Sequence, residues 1–126
     1  MNQSDQQEIM LRFSRCQYAD REASYERCDC VGAVRLVLRD YGGVVELPDD
    51  VTEWADRFEM LSWPTELQDL DVLLLQLKNS FGLADHMAVH IGNRYIVHIG
   101  KNMSGVMCER VNRYESKIVN VARYRR

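Results

Sequence analysis

Long hydrophobic runs are missing from this sequence. No stretch of 18 apolar residues occurs, so no segment reads as a membrane span. An excess of positive charge is missing too. The net charge is −3, which removes the electrostatic basis for a nucleic-acid or anionic-membrane partner. Cysteine is sparse and irregularly placed, at Cys16, Cys28, Cys30 and Cys108. That set excludes a disulfide scaffold. Cys28-x-Cys30 with Cys16 is not a zinc knuckle either, because the Cys-x₂₋₄-Cys spacing and a second pair are absent, so no metal or cofactor is expected. Met1–Glu8 is polar and lacks the apolar core of a signal peptide. The expectation is a protein made in a reducing compartment and not conventionally exported from it.

What is present fits one domain over residues 1–126. Charge is distributed unevenly. Residues 46–71 hold nine acidic side chains and one Arg, and residues 109–126 hold six Lys/Arg and two Glu. Two solvated faces are the simplest reading, with a basic tail against an acidic neighbour as the alternative.

The most informative stretch is 28–41, Cys-Asp-Cys-Val-Gly-Ala-Val-Arg-Leu-Val-Leu-Arg-Asp-Tyr. Cys30, Ala33, Val34, Val37, Leu38 and Tyr41 recur at helical spacing and make one apolar face. Asp29 stands where an N-cap carboxylate accepts orphan backbone N–H groups. Cys30 then lies in the first turn, where the helix dipole favours thiolate. The stretch reads as a nucleophile mounted on a core helix. The competing reading is a buried structural cysteine.

Around it, an opening helix is predicted from about Ser4 to near Gln17, and 18–27 lacks periodicity and reads as a loop. Gly42-Gly43 closes the central helix. Val51, Trp54, Ala55 and Phe58 suggest a second short helix, broken by Trp63-Pro64. From Leu70 the period becomes two. Leu70–Leu77, His86–Ile91, Arg94–Ile99, Gly105–Val111 and Lys117–Tyr124 read as strands. Helices followed by an antiparallel sheet of about five strands is an α+β pattern.

All three histidines, His86, His90 and His98, fall in one hairpin around Gly92-Asn93. A two-residue loop would send His86 and His98 to opposite faces. A three-residue loop, Ile91-Gly92-Asn93, puts them directly across from each other, with Cβ atoms about 5 Å apart. Chemistry favours the second register, since a histidine base beside a thiol needs a third group to hold its ring. His90 is the weaker candidate. Together Cys30, His86 and His98 supply a nucleophile, a base and an orienter.

Asp29-Cys30-Val31-Gly32 before an apolar helix resembles the Asp-Cys-Ser-Gly signature of the NlpC/P60 cysteine peptidases. His86-Met87-Ala88-Val89-His90-Ile91-Gly92-Asn93 is similar to their histidine segment. His98 and Tyr18 fall where that family has its third polar residue and an upstream tyrosine. A finer resemblance is to the phage lambda-type tail-assembly and tail-tip branch. It rests on Val34-Arg35, on Gly43 to Leu47-Pro48, on Asp71-Val72-Leu73-Leu74 and on Asp85-His86-Met87-Ala88-Val89-His90. Two departures stand out: Ala19-Asp20-Arg21-Glu22 replaces the family's Tyr-x-x-Gly-Gly continuation, and Val31 replaces a serine. Cys28 is also unusual and reads as core or loop filler, with a resolving thiol as the alternative.

The resemblance implies a papain-like α+β fold and a peptidoglycan endopeptidase acting on a stem-peptide amide such as D-γ-glutamyl-diaminopimelate. Cys30 would attack, His86 would move the proton and His98 would orient His86. Tyr18 and Asp29 would contact substrate, with Tyr18 also a candidate for the oxyanion site. Implied partners are the stem peptide and other phage tail-tip proteins. The implied location is the host cytoplasm during assembly, then the virion tail tip, acting at the cell wall. The alternatives are an inactive structural tail protein on the same fold and a cell-wall amidase effector or toxin.

Overall fold

Asp29 opens the central helix as the sequence predicts. Its Oδ1 accepts from the Gly32 N–H at 2.7 Å and its Oδ2 from the Arg21 N–H at 2.8 Å. The computed structural model describes residues 1–78 and 81–126. It places this helix, α2, at Cys30–Gly42, closed by Gly43 in the left-handed region (φ 67°). The preceding helix is α1 (Gln3–Arg12). At its start, Asn2 and Asp5 exchange backbone–side-chain hydrogen bonds in a capping box. It stops at Arg12 rather than near Gln17, because Gln17 is needed elsewhere. Gln17–Tyr18 (β1) pairs in parallel with Arg27–Cys28 (β2), so the segment expected to be a loop is pinned at both ends.

The main sheet contains Phe58–Ser62 (β3), Val72–Leu75 (β4), His86–His90 (β5), Tyr95–His98 (β6), Met107–Arg110 (β7) and Ile118–Tyr124 (β8). Its order is β3-β8-β4-β5-β6-β7, with every neighbouring pair antiparallel. Six strands replace the expected five. The extra one is β3, whose Phe58 also fits the helical spacing of Val51, Trp54 and Ala55. The structure resolves that ambiguity by a 3-10 segment over Val51–Arg57, which keeps Trp54 stacked on Phe58 at 5.8 Å. The chain then extends, and Phe58 to Ser62 pair with Tyr124 to Asn120. A second 3-10 segment, Val111–Lys117, joins β7 to β8.

The hairpin register also differs from the expected one. Its three loop residues are Gly92, Asn93 and Arg94, with φ of 96°, 55° and 61°. Ile91 N–H donates to the Tyr95 carbonyl at 2.9 Å, Val89 faces Val97 and His90 faces Ile96. His86 and His98 are therefore diagonal neighbours, not directly opposed. A slip of two paired positions preserves the face, because side chains alternate with period two.

Two apolar clusters sandwich this sheet. Met87, Val89, Val97 and Ile99 meet Ala33, Val34 and Val37 of α2. Leu73, Leu75, Ala88 and Ile96 meet Val111, Ile118 and Val121 on the other side. Each fully buried aliphatic side chain adds about 1.5–3 kcal/mol. The charged segments partly meet: Arg123 of β8 makes a two-pronged contact with Asp71, at 2.9 and 2.8 Å. No helix among the described residues is long and apolar enough to cross a membrane.

Candidate active site

Three devices hold the Cys30 end of α2. The first is the Asp29 cap. The second is Gly32, where an added Cβ would lie 2.1 Å from the Glu22 carbonyl oxygen; only glycine lets the backbone of Glu22 and Ala23 pass that close. The third is Arg35. It donates to the carbonyls of Pro48 at 2.7 Å and Leu47 at 3.0 Å, and Trp54 Nε1 donates to the same Pro48 carbonyl at 2.8 Å. These bonds fix the Val51–Arg57 segment beside the helix. The result is a cavity of about 440 Å³ containing Cys30 and His86, with a largely apolar wall that includes Trp54, Phe58, Met60 and Leu74.

Burial pushes the Cys30 thiol up from its ordinary range, against a smaller downward pull from the backbone amides of Met87, Val31 and Cys30. The helix dipole alone predicts a thiolate; desolvation of the charged form outweighs it. The sulfur is therefore a neutral thiol at pH 7.

The histidine that shares this cavity is held by a chain of hydrogen bonds. His86 Nε2 lies 2.7 Å from His98 Nδ1, and His98 Nε2 lies 2.6 Å from Glu109 Oε2. The Tyr114 hydroxyl donates to the same carboxylate oxygen at 2.5 Å, and Arg113 approaches the other at 3.3 Å. Burial pushes the Glu109 carboxyl up, but the Tyr114 and His98 hydrogen bonds more than offset it and hold it below its ordinary value. It is therefore ionised at neutral pH and accepts only. This decides the direction of the chain. His98 carries its proton on Nε2 and accepts at Nδ1 from His86 Nε2–H. His86 Nδ1 is then the ring nitrogen without a proton. Burial, reinforced by repulsion from a charged His98, lowers His86 to about 4, and burial lowers His98 as well. Both rings are neutral at pH 7.

The same arrangement of helix and sheet occurs in solved structures. NlpC2 from Trichomonas vaginalis superposes with a TM-score of 0.72 at 14% identity, over 92% of this chain and 45% of that one. The NlpC/p60 domain of the peptidoglycan hydrolase SagA gives 0.69 at 16% identity, over 96% and 97%. A lipoprotein-like NLP/P60 family protein from Staphylococcus aureus gives 0.65 at 18%, over all of this chain and 43% of that one. The fold is that of an NlpC/P60 domain. The chain thus spans under half the length of two of these proteins and nearly all of the SagA domain. No protein-family model and no curated protein matches the sequence itself.

Within this NlpC/P60 fold the five residues singled out from sequence have distinct surroundings. Cys30 and His86 share a cavity, and His98 is hydrogen-bonded to His86. Asp29 is occupied as the helix cap. The Tyr18 hydroxyl donates to Asp20 Oδ1 at 2.6 Å, and this bond, with burial second, raises its pKa to about 12. His90 braces the hairpin turn instead of serving the cavity. Its Nδ1 pairs with the Gln68 carbonyl at 2.8 Å, and its Nε2 accepts from the Arg94 N–H at 3.1 Å. Glu109 and Tyr114 were not evident from sequence. The signal available was alternation. Glu109 faces Ile96 across β6–β7, so it shares a side with His98. Among the described residues no group of His, Cys, Asp and Glu could hold a metal ion.

Proposed function

We propose that this chain is a cysteine peptidase that hydrolyses an amide in the peptidoglycan stem peptide. The observation that carries the reading is the directional chain Glu109–His98–His86, which leaves a bare imidazole nitrogen in the residue that shares the cavity with Cys30. His86 Nδ1 takes the Cys30 proton as the sulfur attacks the amide carbonyl. Backbone N–H groups at the start of α2 stabilise the oxyanion. The imidazolium then protonates the leaving amine, and water attacks the thioester with His86 again as base. Asp29 and Tyr18 are candidates for substrate contact through the residues around them. The substrate class is supported by the likeness to the domain of SagA, a peptidoglycan hydrolase, and by the Asp29-Cys30 and His86-to-Asn93 motifs.

A phage tail-tip setting, with assembly in the host cytoplasm and action at the wall, is a proposal resting on Arg35, Leu47-Pro48 and Asp71–Leu74. Arg35 gives that outline a physical reason, since it grips the Leu47 and Pro48 carbonyls. The test is incubation of the protein and its Cys30→Ala variant with purified muropeptides, with fragments read by mass. Cleavage by the parent and none by the variant is expected. Equal cleavage by both overturns the mechanism, and no cleavage by either favours a structural tail protein.

A further inference from the structure

We propose that Cys16 and Cys28 are a latent disulfide, closed by a peroxide, that straps the Tyr18 segment to the start of α2. The two sulfurs lie 3.1 Å apart, inside the contact distance of unbonded sulfur and about 1 Å beyond a disulfide bond. Their backbones are already tied. Gln17 N–H donates to the Glu26 carbonyl and Ala19 N–H to the Cys28 carbonyl, at 2.9 and 3.0 Å. Closing the bond therefore asks for little backbone movement. Cys28 is fully buried and Cys16 is 4% exposed, so neither can readily find a different partner.

A route to the Cys16 sulfur is present. A crevice of about 180 Å³ between α1 and residues 104–107 is lined by Met10, Phe13, Gly105 and Cys16 itself. It admits a small oxidant but not a protein. Cys16 sulfur attacks one peroxide oxygen; the S–O bond forms, the O–O bond breaks and the departing hydroxide takes up a proton as water. Cys28 sulfur then attacks Cys16 sulfur; the S–S bond forms, the S–O bond breaks and a second water leaves. Two thiols lose two electrons and one peroxide becomes two waters. Burial raises both thiols above their ordinary range, so closure is slow at neutral pH and faster in mild alkali.

The proposal needs no catalytic activity and stands apart from the peptidase reading. Its test uses the full chain carrying Cys30→Ala and Cys108→Ala, oxidised with hydrogen peroxide at mildly alkaline pH. The expected product is a monomer about 2 Da lighter, in which tryptic peptide 16–21 is linked to peptide 28–35. Its melting temperature should rise by roughly 5 °C or more and fall back on reduction. Cys16→Ser in the same background should abolish the mass loss. The protein with Cys30 and Cys108 intact, oxidised alike, should show the same link. Overturning results are uptake of oxygen with no link, a dimer, or a bond confined to peptide 28–35, which would join Cys28 to Cys30.

Discussion

Nε2 of His98 lies 2.6 Å from Oε2 of Glu109, and that single contact orders every proton between the carboxylate and the cavity. A glutamine at 109 can place an N–H where the carboxylate accepts, which favours the wrong His98 tautomer. Glu109→Gln should lower kcat on the order of 10- to 100-fold with KM little changed. Glu109→Asp should recover part of the loss. Steady-state kinetics of the three proteins checks this, and parallel effects on kcat and KM would point to a merely structural role.

Cys30 should react as a neutral, partly enclosed thiol. Alkylation by iodoacetamide should be slow at pH 7 and keep accelerating beyond the ordinary thiol range, because burial raises its pKa. Peptide mapping of the labelled site gives the rate. Full reaction within minutes at pH 6 would contradict the neutral resting state.

The histidines make the fold sensitive to acid. His86 titrates near 4 when folded, lowered by burial first, but near 6.5 when unfolded. His90 and His98 are lowered too, again by burial. Between those two values the unfolded chain binds more protons than the folded one. Stability is thus full above about pH 6.5 and falls steadily as the pH drops towards 4. Melting temperatures across that window should decline. Catalysis should show an acid limb near 4, as His86 loses its bare nitrogen.

Gly32→Ala should destabilise the protein by about 1–3 kcal/mol, as overpacking does. The new methyl would meet the Glu22 carbonyl oxygen at 2.1 Å. Urea unfolding measures the loss. Activity should fall with it, because displacing residues 19–23 also loosens the Asp29 cap.

The elements whose periodicity was clean were legible from sequence: α2 with its Asp29 cap and Gly43 stop, and the histidine hairpin. Where one spacing serves two structures it misled, as at Phe58, which fits a helix face yet belongs to an edge strand. The hairpin register was legible only to within an even slip, since alternation fixes the face and not the partner. Glu109 was hidden for a different reason. One of two glutamates in a basic segment, it carries no catalytic motif of its own, and its contact with His98 exists only once β7 lies beside β6. The Cys16–Cys28 contact likewise depends on a parallel pairing, β1 with β2, that no local pattern announces.

Strand β8 lies between β3 and β4, so residues 118–124 fill a slot whose two walls leave the ribosome well before they do. Until that late strand arrives, β3 has no partner in the sheet and Ala122 is missing from the boundary of the cavity. A nascent chain therefore carries its cysteine without the finished chamber around it. Enclosure of that cysteine is thus completed from the far end of the sequence, when Ala122 closes the wall.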